Sequence, residues 1–141
     1  MRIVLSVLLI VVATGNSAAA AVYECRAQQR SYSSDFWSPF DNLIQPQMRF
    51  TIEEASATVE DPLIRSVHGG AIPGDLTENT DKKWVVRWSM TARGDRGRQA
   101  TQLFRASFIK KSAKLIVTQA VSGANTTFHG RGSCVEVTGT G

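Results

Sequence analysis

The residues able to do chemistry in this chain are few and badly spaced for catalysis. The two histidines, His68 and His129, lie far apart. A metal site would need both together with a carboxylate such as Glu60 or Asp61, and their spacing carries no metal-ligand signature. Serines are plentiful, yet no Gly-x-Ser-x-Gly occurs, and no nucleophile stands beside a base and an orienting group. The carboxylate pairs Glu53-Glu54 and Glu60-Asp61 are direct neighbours, and neighbours on a strand point to opposite faces, so neither makes a glycosidase dyad. No catalytic residue, metal ligand or cofactor motif is assigned. The expectation is a protein that binds and does not catalyse.

Cys25 and Cys134 are the only cysteines. They are not a Cys-x-x-Cys redox pair, and neither has a histidine nearby. In an exported chain two such cysteines form one structural disulfide. It would close a loop of 110 residues, which chain entropy values at roughly 4 to 5 kcal/mol. It also requires the two Cα atoms within about 7 Å, so the first and last strands must meet.

Groups suited to holding a partner are better represented. Arg93, Arg96, Arg98, Arg105, Lys110, Lys111 and Lys114 give the second half of the chain a basic bias. Three of these sit on one hairpin connection and three at the next turn. Successive turns fall at opposite ends of a hairpin, so two patches are expected. Arg93, Arg96 and Arg98 could each grip a carboxylate through paired hydrogen bonds. The irregular stretch Gln28 to Pro46 carries Tyr32, Phe36, Trp37 and Phe40 among Ser, Asp, Asn and Pro. A loop this long in a compact domain is functional or poorly ordered, and four aromatics argue for recognition or for a flap over one mouth of the fold.

The elements that must position these groups read as strands. Residues 1–20 resemble a secretory leader: Arg2, then the apolar run Ile3 to Ala13, then Ala18-Ala19-Ala20 as cleavage site. That run is shorter than the about 20 residues needed to span a bilayer. Removing the leader leaves one domain, residues 21–141, and lowers the formal charge from +4 to +3. This mild basicity fits an anionic surface and does not demand nucleic acid. The expected location is the periplasm or the medium outside. Along the mature chain the period is two: Met48, Phe50 and Ile52; Trp84, Val86, Trp88 and Met90; Phe104, Ala106 and Phe108. Asp61-Pro62, Gly69 to Asp75, Arg93 to Arg98 and Ser122 to Asn125 read as breaks, and no window shows helical spacing. Gly130 and Gly132 point to a bulge or bend in the last strand. The fold class expected is all-β, a small antiparallel barrel or sandwich closed by one disulfide.

Tyr23-Glu24-Cys25 near the start and Gly132-Ser133-Cys134 near the end resemble the small periplasmic barrels related to the membrane-bound inhibitors of c-type lysozyme. The resemblance implies a barrel whose ends are joined by cysteines. It also implies a Ser-Gly loop, followed by tyrosine, that enters the lysozyme cleft. Here Ser122-Gly123 is followed by Ala124-Asn125-Thr126, so the inhibitory motif is incomplete. The resulting expectation is an exported, hydrolase-inhibitor-like module that binds an envelope protein or an anionic surface. The alternative is a carrier of a small apolar ligand inside the barrel, lined by Trp84, Trp88, Phe104 and Phe108, and an uncharacterised hydrolase comes third.

Overall fold

Inward and outward side chains alternate along each strand of a closed, eight-stranded antiparallel barrel. The computed structural model describes residues 20–29, 43–93, 99–123 and 127–137, so the leader read from residues 1–20 lies, apart from Ala20, outside the described residues. The strands are β1 (Ala21–Gln29), β2 (Gln47–Ile52), β3 (Ala57–Glu60), β4 (Ile72–Asn79), β5 (Lys83–Arg93), β6 (Gln99–Ile109), β7 (Lys114–Val121) and β8 (Thr127–Val137), with a short helix α1 (Pro62–His68) between β3 and β4. Each strand pairs with the next in sequence, and β1 pairs with β8 to close the circle. Among the described residues no helix is long and apolar enough to cross a membrane.

The inward set is aromatic. Across β5 and β6, Trp84 faces Phe108 and Trp88 faces Phe104, while Val86 faces the smaller Ala106 between them. Trp88 and Phe104 stack with planes 3° apart and centroids 5.2 Å apart. Trp84 gathers Tyr23, Phe50 and Phe108 at 5.4, 4.9 and 5.3 Å. Such tilted contacts add to the apolar area that the rings bury. The period-two reading of Trp84 to Met90 holds from Val86 onward, where Arg87 and Ser89 between the buried side chains are exposed; Val85 is also buried, though it lies outside the core cluster that holds the other four.

The seam between β1 and β8 carries the disulfide. Cys25 and Cys134 are direct register partners and are bonded, with Cα atoms 4.0 Å apart. The register here runs unbroken from Val22↔Val137 to Gln29↔Gly130, so the bulge expected from Gly130 and Gly132 is absent. The glycines serve close approach instead. A Cβ on Gly132 would lie 1.6 Å from the main-chain oxygen of Arg26, a position that only glycine can occupy.

Three further expectations are corrected. Asp61-Pro62 is no mere break: the Asp61 carboxylate accepts the Ile64 N–H at 2.7 Å, and Pro62 opens α1, where its missing N–H costs nothing. The stretch Gly69 to Asp75, read as a loop, supplies the start of β4, whose Gly74 leaves room for Val86; a Cβ there would meet Val86 Cγ1 at 2.5 Å. The sequence pattern sets out Ala124 to His129 and Ser133 to Val137 as two short runs separated by Gly130 and Gly132; from Thr127 to Val137 they form one strand, β8.

Two outcomes check this architecture. Trp88→Ala should cost about 3 to 5 kcal/mol in denaturant unfolding, whereas exposed Arg87→Ala should cost under about 1 kcal/mol; equal effects would mean a wrong register. Replacing Cys25 and Cys134 by Ser together should destabilise a chain of residues 21–141 by several kcal/mol, up to about 4 to 5, and intact-mass analysis of the unreduced wild type should find no free thiol.

Candidate functional site

Up-and-down connectivity assigns every connection to one of two ends of the barrel. The β2–β3, β4–β5 and β6–β7 turns, with both chain ends of the described barrel, share one end. The β1–β2, β5–β6 and β7–β8 connections and α1 share the other. The aromatic loop leaves from β1 and the basic turn leaves from β5, so their anchor points lie at the same end. Tyr32, Phe36, Trp37, Phe40, Arg96 and Arg98 themselves lie outside the described residues. Arg93 ends β5 opposite Gln99 in the register, and its side chain is not described. Ser122 and Gly123 open the β7–β8 turn, exposed at this same end.

The lysine cluster falls at the opposite end, as the hairpin argument requires. The Lys110 main chain donates to the Lys82 carbonyl, and Lys110 Nζ donates to the Thr80 carbonyl at 2.6 Å. Lys82, Lys111 and Lys114 are exposed there.

Charge is segregated along the chain and so around the barrel. Residues 82–135 hold eleven Lys or Arg and a single acid, Asp95, whereas residues 21–81 hold ten acids and four bases. Because strands follow one another around the circumference, β5 to β8 form a basic side and β1 to β4 a more acidic one. The ion pairs among the described residues, Arg49–Glu24, Arg65–Glu60 and Lys83–Glu78, involve the acidic side. All lie at the surface, where solvent screens them. On the basic side the outer face presents one continuous row by register: Arg87 of β5, Arg105 of β6, Thr118 of β7 and His129 of β8, with Asp75 of β4 before Arg87. Asp75, Arg87, Ser89, Leu103, Arg105, Thr118 and Ala120 line a shallow groove of about 440 Å³ above Trp88 and Phe104.

The interior is filled. Six aromatic rings form its contact network. Near the loop end, Gln102 and Gln119 are fully buried and Gln119 Nε2 donates to Gln102 Oε1 at 2.9 Å. The Trp88 indole and the Gln102 amide nitrogen find no acceptor among the described residues. Burial pushes the Tyr23 phenol above its ordinary value and Glu136 adds to this, while the Trp84 indole acts weakly the other way.

Residues proposed for chemistry are not brought together. His68 ends α1 and His129 lies on the outer face of β8, both exposed. No group of three or more His, Cys, Asp or Glu among the described residues could hold a metal. Asp61 is the one buried carboxylate among them. Burial raises it above the ordinary value, against the hydrogen bonds from Ile64 and Leu63 and the charge of Arg65, and its structural task is the α1 cap. Only the strand register sets Arg87 and Arg105 side by side; the alternation in the sequence places both on the outside without pairing them.

Compared with protein-family models, curated proteins and solved structures, the chain matches none.

Asp61 gives a pH test. Its folded value lies above the unfolded one, so its contribution to stability is greatest below the ordinary carboxylate value and is lost as pH rises through the folded value. Asp61→Asn keeps the acceptor and removes the charge; its stability relative to wild type should rise over that window. Asp61→Ala should cost about 0.5 to 2 kcal/mol. An Asn variant with an unchanged stability–pH profile would contradict this assignment.

Proposed function

We propose that this is an exported binding protein of the bacterial envelope, which recognises an envelope protein or anionic surface with groups on the outside of a closed scaffold. The observation that carries the reading is the filled interior: Tyr23, Phe50, Trp84, Trp88, Phe104 and Phe108 contact one another where a carried ligand would have to sit. Recognition then falls to the exterior and to the connections. Those bearing Tyr32, Phe36, Trp37, Phe40, Arg93, Arg96 and Arg98 depart from one end, as does the Ser122-Gly123 turn. One end carrying aromatic anchors and guanidinium groups is a sound design for a hydrolase-inhibitor-like module. No cofactor is needed for this role.

A second reading, the small-ligand carrier, draws on one observation. The Trp88 indole and Gln102 amide donors are buried without an acceptor among the described residues, and an enclosed ligand could offer one. It requires the rings to part, and tryptophan fluorescence titrated with a fatty acid separates the two readings.

The test of the first reading pairs stability with binding. Partners captured from envelope extract by the mature protein are identified, purified and measured alongside a c-type lysozyme. Trp37→Ala should weaken binding by about 2 kcal/mol while changing stability by less than about 1 kcal/mol. Replacing Arg93, Arg96 and Arg98 together should slow association and flatten its salt dependence. Unfolding of Trp37→Ala would make the loop a structural lid, and unchanged binding in both variants would sink the reading.

A further inference from the structure

We propose that the outer face of β5 and β6 holds a binding site for a compact dianion, a phosphoryl group borne by a small molecule or a lipid headgroup, gripped by Arg87 and Arg105. The two residues are direct register partners. Like charges directly opposite on a sheet face are destabilising, and an outward position accepts almost any polar residue, so the fold itself gives no reason for the pair. Neither arginine enters an ion pair among the described residues. Asp75, the register partner of Arg87 on its other side, forms no ion pair with it. Nor do the neighbouring strands help, since β5, β6 and β7 contain no acidic residue at all. The result is a net positive field over a groove, two guanidinium groups against the single Asp75 carboxylate, which attracts and concentrates anions.

The groove has the parts that such a ligand needs. Arg105 is half-buried, which limits the freedom of its side chain, and Arg87 is exposed beside it. Thr118 continues the same row on β7, and Ser89 lies in the groove wall. Two planar forks and two hydroxyls supply more donors than one carboxylate can accept, since a single arginine already satisfies a carboxylate through both oxygens. A phosphoryl group, with three terminal oxygens, can be shared between both guanidinium groups and a hydroxyl. Leu103, an exposed apolar side chain, and Ala120 border the groove and would meet the carbon portion of the ligand. Asp75 closes the β4 side, so the anion sits toward β6 and β7.

This proposal is independent of the loop end, and its test uses other variants. The mature protein is titrated with inorganic phosphate and with pyrophosphate at constant ionic strength, chloride replacing the anion in controls. Flotation with vesicles containing phosphatidic acid, whose headgroup is a phosphomonoester, against phosphatidylglycerol and phosphatidylcholine vesicles, reads the lipid source. Arg105→Gln and Arg87→Gln should each weaken binding about tenfold, the value of one charge-assisted hydrogen bond. Asp75→Asn should tighten it. Lys111→Gln, an equal loss of charge at the far end, should leave it unchanged. With a repulsive pair relieved, Arg87→Gln should melt no lower than wild type in the absence of ligand. Phosphate binding lost in the arginine variants assigns a small-molecule ligand, and vesicle binding lost in them without phosphate binding assigns a headgroup. No binding to either, or binding that Lys111→Gln weakens as much as Arg105→Gln, would overturn the site.

Discussion

The seam between the first and last strands is the constraint on which the rest depends. Without it the sheet has two open edges, each a row of unpaired N–H and C=O groups. With it every strand is paired and an inside exists. Two features hold the seam. The Cys25–Cys134 bond joins register partners 109 positions apart in the chain, and its entropic effect is close to the largest that one crosslink can give. Gly132 lets the main chains approach so closely that any side chain would strike the Arg26 carbonyl. The covalent tie and the steric permission stand two residues apart on β8.

Closure then divides the labour of the side chains. The inside takes the rings, with Val86 and Ala106 as spacers between larger neighbours, and packs as a core. The outside takes the charges, and chain order becomes position around the circumference. A sequence with acids in its first half and bases in its second folds into a barrel with a basic side without any further device. Meander connectivity also sorts the turns, so the aromatic loop and the basic turn are anchored at one end and the lysine cluster lies at the other. A binding role fits this division: a rigid frame, with chemistry displayed on faces and ends.

Much of the frame is legible in the sequence because it rests on local patterns. Alternating Trp84, Val86, Trp88 and Met90 can satisfy a two-sided sheet in only one way, and two cysteines near the two ends of the strand pattern call for closure. Features that depend on tertiary context are harder to read. Asp61-Pro62 is both a helix start and a strand break, and the seven residues of α1 are too few to show a period. β4 carries Pro73 and Gly74, which argue against a strand until Val86 on its neighbour is seen to need the space. Gln102 and Gln119 look like outward residues by polarity and are inward by parity, where they bond to each other. On the outer face, Arg87 and Arg105 are ordinary outward positions until the register makes them neighbours.

Native-state hydrogen exchange on the oxidised mature protein tests the central claim, that a closed and filled barrel leaves recognition to its exterior. The amides of Val22–Gln29 and Gly130–Val137 that pair across the seam should open only with global unfolding, at free energies within about 1 kcal/mol of those in β5 and β6. Seam amides that exchange by local opening, several kcal/mol below the β5–β6 value, would describe an open sheet with an accessible interior and would contradict the account.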